Sequence, residues 1–309
     1  MEISFLEILK VIFLGIVEGV TEWLPISSTG HMYLVDFFIR LDMSEAFKNL
    51  FMVVIQLGAI LAVVVLFWKK LFPFRFKEKP VVQKDIFSLW GKVLVACLPA
   101  GILGILFDDF LDEHVYTENV RPIVIAAMLI VYGIAFIVVE KRNKNRLPRI
   151  DAAKDIDYKT ALIIGAFQVL SLIPGTSRSG ATILGAILVG VSRPAAAEFT
   201  FFLAIPVMFG ASLLKIVKFG LAFTGTEILL LSIGCAVAFV VSLFAIKFLM
   251  NFVKKHDFTP FGWYRIISAH RFVCRRSLAD QRLNDKINGA AAKIFAAALR
   301  FTLYRPTAE

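Results

Sequence analysis

The sequence has few charged residues and few cysteines for its length. Charged residues make up 19% of the 309 positions, hydrophobic residues make up 58%, and the mean hydropathy is +0.76. A water-soluble protein does not carry so much apolar surface, whereas a membrane bundle does because lipid covers it. The few cysteines lie far apart, without metal or redox spacing. We therefore expect no disulfide framework from Cys97, Cys235 and Cys274.

The sequence also lacks a basic stripe with interleaved aromatic residues, although its formal net charge is +10. Such a stripe is typical of nucleic-acid binding, so its absence excludes a nucleic-acid partner. The basic residues lie instead at the ends of apolar segments. This is where lysine and arginine accumulate on the cytoplasmic side of membrane proteins.

Five apolar stretches are long enough to cross a hydrocarbon core of about 30 Å as helices. The segment at positions 69–84 is basic, the segment at 108–121 is acidic, and the segment at 141–159 is basic again. This alternation predicts that the basic loops are cytoplasmic and the acidic loop lies outside. The predicted spans are Phe51–Trp68, Ile86–Phe107, Pro122–Val139, Phe199–Val217 and Ile228–Met250.

Two further apolar stretches are interrupted. Phe5–Leu41 contains Pro25 and Tyr158–Val191 contains Pro174-Gly175, each followed by small hydroxyl residues. The order of the spans makes the first stretch enter and leave from outside and the second from the cytoplasm. We therefore predict two re-entrant helical hairpins, because irregular backbone at membrane depth is tolerated only where it is buried or lines a polar cavity.

The two halves of the chain match at an offset of 150 positions, and the charge pattern orients them in opposite directions. Inverted repeats with broken helices place a ligand site where the breaks meet. We predict an all-α polytopic membrane helix bundle with inverted-topology repeats. Residues 1–267 would form one membrane domain, with repeat 1 at about 5–140 and repeat 2 at about 155–267. The matched pairs are Gly15 and Gly165, Glu18 and Gln168, Ser27 and Ser177, Thr29 and Ser179, Gly30 and Gly180, and Phe51 and Phe201.

The first break begins with two carboxylates on one helical face. Glu18 and Glu22 are four positions apart in an apolar helix, where carboxylates are costly. Paired carboxylates suit a divalent cation such as Mg²⁺ or Ca²⁺. They are equally suited to general acid–base work, and the pattern leaves both roles open.

Hydroxyl groups follow Pro25, which ends the first helix. Ser27, Ser28 and Thr29 are typical of the start of a new helix, whose free N–H groups bind phosphate. His31 lies one turn after Ser28. It could activate Ser28, attack phosphorus itself or protonate a leaving group.

The second break repeats this chemistry and adds one cation. Arg178 is the one charged residue between Lys159 and Arg193. A guanidinium in the membrane needs an anion, and a diphosphate is a natural bidentate partner. The other interpretation is a structural ion pair with Glu18 or Glu22.

These motifs resemble the undecaprenyl-diphosphatase family, also known as the bacitracin-resistance family, over about residues 5–267. The matching stretches are Glu18–His31, Pro174–Thr182 and Val54–Gly58. The resemblance implies hydrolysis of undecaprenyl diphosphate to undecaprenyl phosphate, which recycles the lipid carrier of peptidoglycan synthesis. It also implies a divalent cation, membrane lipids as partners and a bacterial inner-membrane location with the site facing the periplasm. A homo-oligomer remains open.

The resemblance also carries roles to individual residues. Glu18 and Glu22 would serve as metal ligands or acid–base groups, Ser28 and His31 are competing nucleophiles, and Arg178 would grip the diphosphate. Supporting substrate contacts would come from Ser27, Thr29, Ser177 and Thr182.

Two other classes of membrane protein share part of this pattern. A transporter or flippase of an anionic polyprenyl lipid shares the inverted-repeat architecture but needs no nucleophile. The acid-phosphatase-like membrane phosphatases require a histidine at a fixed distance after Ser177-Arg178, and none stands there. We reject the second class.

The sequence departs from the family after Ile267, where a basic tail replaces a final apolar helix. We predict an atypical C-terminal segment at 268–309. Eight basic residues against three acidic residues give it +5 of the net charge.

Overall fold

The computed structural model describes residues 4–75, 81–117, 120–220 and 222–279, and their side chains except at positions 37 and 271–279. Within these ranges the chain is almost entirely helical and forms no strand, apart from two isolated β-bridges. The predicted all-α class is therefore confirmed for the described part of the chain.

Twelve α-helices are assigned within the described ranges. Short 3₁₀ turns precede the eighth helix, at Ala153–Asp155, and follow it, at Leu170–Leu172. The helices are α1 Phe5–Thr21, α2 Ser28–Phe38, α3 Glu45–Val54, α4 Gln56–Leu66, α5 Trp68–Leu71, α6 Lys84–His114, α7 Arg121–Asn143, α8 Tyr158–Val169, α9 Arg178–Leu188, α10 Arg193–Phe219, α11 Gly225–Phe252 and α12 Thr259–Ala279.

Five helical stretches are long and apolar enough to cross a membrane, as the hydropathy pattern predicts. They are α3 with α4, then α6, α7, α10 and α11. One boundary was wrong: α6 continues to His114, so the acidic positions 108–113 form its last turns instead of a loop. Helical hydrogen bonding is satisfied along the backbone, so a helix can extend beyond its apolar segment.

The first interrupted stretch folds back so that its two ends meet. The Lys10 ammonium donates to the Arg40 carbonyl oxygen at 2.6 Å. The Asp42 backbone N–H donates to a carboxylate oxygen of Glu7 at 3.0 Å. The start of α1 and the segment after α2 are therefore in contact.

The two ends of the second interrupted stretch also meet. The Arg149 backbone N–H donates to the Gly190 carbonyl oxygen at 2.7 Å. The Ser192 N–H donates to the Ile150 carbonyl oxygen at 2.8 Å. The segments before α8 and after α9 are therefore in contact.

The two interrupted stretches pack against the opposite halves of the chain. Helix α1 lies along α11, whereas α8 lies along α6. Helix α7 pairs with α12, and α10 lies against α3, α4, α6 and α9. As a result of this packing, the two breaks lie next to each other inside the bundle.

The last described helix passes through the predicted start of the basic tail. Helix α12 runs from Thr259 to Ala279, so the backbone at Ser268 remains helical. The rest of the predicted segment, 280–309, lies outside the described residues, and its boundary remains a prediction.

Candidate active site

Both breaks end in a serine with an unusual backbone conformation. Ser27 has φ 75° and Ser177 has φ 70°, and in the described residues no other non-glycine residue has positive φ. Such a conformation costs free energy, which the surrounding structure must supply. Ser27 Oγ accepts a hydrogen bond from Gly30 N–H at 3.3 Å, and Ser177 Oγ accepts one from Gly180 N–H at 3.1 Å. Each serine therefore caps a new helix, as predicted.

Ser28 and Arg178 meet at one carboxylate. The Ser28 hydroxyl donates to Glu22 Oε2 at 2.5 Å, and Arg178 Nη2 donates to Glu22 Oε1 at 2.8 Å. Arg178 Nη1 donates to the Thr200 carbonyl oxygen at 2.8 Å. The ion pair is largely buried, with exposed side-chain fractions of 9% and 8%. The predicted Arg178–carboxylate pairing is therefore present, and it uses Glu22.

The neighbouring carboxylate has an unsatisfied oxygen. Glu18 is 1% exposed, and its Oε1 has no hydrogen-bond partner among the described residues. Gln168, its match in the second half, is equally buried and its amide group has no partner either. Buried polar atoms normally have partners, so these three atoms point to water, an ion or substrate in the complete site.

His31 does not contact Ser28 through a hydrogen bond. Its Nδ1 lies 2.7 Å from the Ser27 carbonyl oxygen, and its Nε2 lies 2.7 Å from the Tyr264 hydroxyl. The Ser28 hydroxyl is instead bonded to Glu22. In this arrangement Glu22, and not His31, is the base that can take the Ser28 proton.

The predicted supporting residues fall into different environments. Ser27 and Ser177 are helix caps, and Thr29 is exposed one position after Ser28.

Thr182 is fully buried. Its hydroxyl lies 2.9 Å from the Thr200 hydroxyl and donates to the Arg178 carbonyl oxygen at 2.9 Å. Thr182 therefore supports the turn that carries Arg178.

A second buried arginine lies at the site and was not among the predicted residues. Arg265 in α12 is fully buried and donates to the carbonyl oxygens of Pro25, Gly175 and Thr176 at 2.9, 2.8 and 2.9 Å. It thus joins the backbones of both breaks. The available signal was the one that identified Arg178, since Arg265 is also a lone cation among apolar neighbours.

The site lies near the end of the bundle that carries the acidic segment. Tyr116, just after α6, donates to the carbonyl oxygen of Leu172 at 2.6 Å, close to the second break. The Arg121 guanidinium at the start of α7 lies 5.2 Å from the ring centroid of Tyr33, two residues after His31. Both breaks therefore approach the helix ends around positions 114–121.

Comparisons with known proteins match most of the chain. A family model described as bacitracin resistance protein BacA matches residues 11–270. An undecaprenyl-diphosphatase from Enterococcus faecalis is 68% identical over 86% of this chain and 96% of its own length. An undecaprenyl-diphosphatase from Acetivibrio thermocellus is 62% identical over 85% of this chain and 95% of its own. One from Limosilactobacillus fermentum is 54% identical over the same shares.

Proposed function

The chain belongs to the BacA family of bacitracin resistance proteins, and we propose that it hydrolyses undecaprenyl diphosphate to undecaprenyl phosphate and inorganic phosphate. The reaction returns the lipid carrier to peptidoglycan synthesis, and the supply of carrier explains resistance to bacitracin. The match to this chain extends over nearly the whole length of the relatives named undecaprenyl-diphosphatase. The apolar chain of the lipid carrier is compatible with a protein built from apolar helices.

One observation carries the proposal: a buried serine hydroxyl bonded to a carboxylate that is itself paired with an arginine. Ser28 Oγ lies 2.5 Å from Glu22 Oε2, and Arg178 Nη2 lies 2.8 Å from Glu22 Oε1. A transporter of the same lipid would need the cation but not a nucleophile held against a base. This geometry favours Ser28 over His31 as the nucleophile.

In the first step, Ser28 Oγ attacks the terminal phosphorus and its proton passes to Glu22. The bond between that phosphorus and the bridging oxygen breaks, leaving a phosphoserine. Undecaprenyl phosphate departs and takes the Nε2 proton of the charged form of His31, one turn from Ser28; in this step the departing oxygen replaces the Tyr264 hydroxyl as the acceptor of that proton. The free N–H groups at the start of α2 and the Arg178 guanidinium stabilise the charge on the transferring phosphate.

In the second step, water attacks the phosphoserine. Its proton passes to His31, and the proton held by Glu22 returns to the Ser28 oxygen. Inorganic phosphate leaves, and both groups regain their starting protonation states. The two steps therefore use the same acid and base in opposite directions.

Glu18 and Glu22 fit a divalent cation, although no three His, Cys, Asp or Glu side chains cluster as metal ligands in the described ranges. Glu18 Oε1 has no partner, and each Glu22 oxygen keeps a lone pair beyond its one bond. Mg²⁺ is commonly held by one or two carboxylates, with phosphate oxygens and water completing its shell. Such an ion would neutralise charge on the diphosphate. We expect a chelator to abolish turnover and Mg²⁺ or Ca²⁺ to restore it.

We also propose that the bundle lies in the bacterial inner membrane with inverted repeats, two re-entrant hairpins and a site that opens to the periplasm. The meeting ends of each hairpin, the matching packing of α1 on α11 and α8 on α6, and the paired serine caps support the repeats. The approach of both breaks to the acidic end supports the periplasmic opening.

The function is tested with undecaprenyl diphosphate carrying radioactive phosphorus in its terminal phosphate. The purified full-length chain should release labelled phosphate, and rapid acid quenching should leave acid-stable label on Ser28. Ser28→Ala should abolish both signals, whereas Ser232→Ala, which removes an exposed hydroxyl on α11, should change neither. Acid-labile label on His31 would reassign the nucleophile. Lipid binding without phosphate release would support the transporter instead.

A further inference from the structure

The imidazole of His31 is held by a residue from the far end of the described chain. The Tyr264 hydroxyl lies 2.7 Å from His31 Nε2, across 233 positions of sequence. The two rings also stack, with centroids 5.6 Å apart and planes inclined by 12°. Tyr264 therefore contacts His31 through both its hydroxyl and its ring.

The second ring nitrogen of His31 determines how this contact works. Nδ1 lies 2.7 Å from the Ser27 carbonyl oxygen, which can only accept, so Nδ1 carries a proton. In the neutral ring, Nε2 is then the acceptor and the Tyr264 hydroxyl donates to it. When the ring is charged, Nε2–H donates to the Tyr264 oxygen, so the same contact serves both protonation states.

The position of Tyr264 is set by its neighbour in the chain. Arg265 is fully buried and bonds the backbone carbonyls of Pro25 and Gly175, one from each break. These bonds fix the register of α12 against the site. Tyr264 itself is 44% exposed, so core packing does not explain where its hydroxyl points.

We propose that Tyr264 is a positioning residue for the phosphatase reaction. The Ser27 carbonyl sets the Nδ1–H tautomer of His31, and Tyr264, through its hydroxyl at Nε2 and its ring stack, holds the imidazole in the orientation needed for proton transfer. The inference rests on the proposed function, in which His31 protonates the departing lipid phosphate. Tyr264 acts through His31 and has no assigned contact with the substrate. A hydrogen-bond partner that fixes the ring orientation commonly supports a functional histidine.

The first test compares two tyrosine-to-phenylalanine variants of the full-length protein. Tyr264→Phe keeps the ring stack and removes only the hydroxyl. Tyr158→Phe is the matched control, because Tyr158 is a similarly exposed tyrosine at the opposite end of α8 from the break. With undecaprenyl diphosphate, we expect kcat of Tyr264→Phe to fall about tenfold with KM within about twofold, and Tyr158→Phe to match wild type.

Wild-type turnover in this assay separates the two ideas. A wild-type protein that releases no phosphate would overturn the proposed function. A wild-type protein that turns over normally beside an equally active Tyr264→Phe would overturn the positioning role alone.

A double-mutant cycle then asks whether Tyr264 works through His31. Residues that act through one another have non-additive effects. In a His31→Ala background, Tyr264→Phe should therefore cause no further loss of kcat. A further loss of about tenfold would mean that Tyr264 acts independently of His31.

A spectroscopic test needs no turnover. The chain contains four histidines, so ¹⁵N-histidine labelling of the full-length protein in detergent gives few ring signals, and His31→Gln identifies those of His31. The wild type should show the Nδ1–H tautomer for His31. Tyr264→Phe should shift the His31 Nε2 signal and Tyr158→Phe should not. An unchanged His31 signal in folded Tyr264→Phe protein would overturn the proposal.

Discussion

At the scale of single residues, the site is governed by the cost of charge inside an apolar bundle. Glu22 is stable there because Arg178 and the Ser28 hydroxyl bond its two oxygens. An unpaired carboxylate would be costly in this environment. The same contacts place the hydroxyl against a carboxylate, which is the arrangement that the proposed attack by Ser28 requires.

Arg178 should not be replaceable by lysine. Its guanidinium bonds Glu22 and the Thr200 carbonyl oxygen with separate nitrogens and leaves Nε without a partner. A lysine ammonium is a single point that cannot hold these partners and also bind phosphate in one orientation. We expect Arg178→Lys to lower kcat roughly 100-fold, nearly as much as Arg178→Ala. Steady-state kinetics check this prediction. Near-normal turnover of Arg178→Lys would show that catalysis does not need the separate contacts made by the two Arg178 nitrogens.

At the scale of helices, close packing depends on small residues. A Cβ added at Gly58 would lie 2.0 Å from the Cys235 carbonyl oxygen on α11, and one added at Gly165 would lie 2.3 Å from the Ala96 carbonyl oxygen on α6. Helices in lipid associate through such close approach, because the apolar environment supplies no hydrophobic driving force between them. Gly58 and Gly165 therefore lie where α4 packs closely against α11 and where α8 packs closely against α6.

Gly58→Ala and Gly165→Ala should therefore lower the unfolding temperature in detergent. The clash is with backbone, so the helices must separate, at a cost of about 1–3 kcal/mol or more. Gly101→Ala and Gly210→Ala are matched controls within helices, because an added Cβ there meets no atom within 4 Å. The controls should be neutral or slightly stabilising, since alanine favours helix over glycine. Equal unfolding temperatures for all four variants would refute the packing argument.

At the scale of the whole molecule, charge distribution sets the orientation in the membrane. The predicted cytoplasmic end carries the basic segment at 141–159, and the opposite end carries the acidic turns of α6. Lysine and arginine are retained on the cytoplasmic side during insertion. The orientation in turn decides which compartment supplies the substrate.

Cysteine labelling of intact cells tests this orientation. In a variant whose three native cysteines are replaced by alanine, a membrane-impermeant maleimide should label Glu113→Cys. It should reach Lys144→Cys only after the membrane is disrupted, because basic segments stay inside. The reverse pattern would remove the support for a periplasmic site.

The sequence was enough to predict the spans, the two breaks and the candidates Glu18, Glu22 and Arg178. These follow from local properties: apolar length, a helix breaker, and the cost of a lone charge in an apolar stretch. The serine caps at 27 and 177 are equally local, because a cap bonds an N–H three positions away.

The pairing of the charged side chains, in contrast, could be seen only in the folded chain. Glu22 and Arg178 are 156 positions apart, and His31 and Tyr264 are 233 apart. Residue types and spacing do not specify such contacts, because several carboxylates and hydroxyls could satisfy the same partner. Tyr264 and Arg265 reach the site because α12 packs against both breaks. The position of the whole helix, and not its own sequence pattern, brings these side chains there.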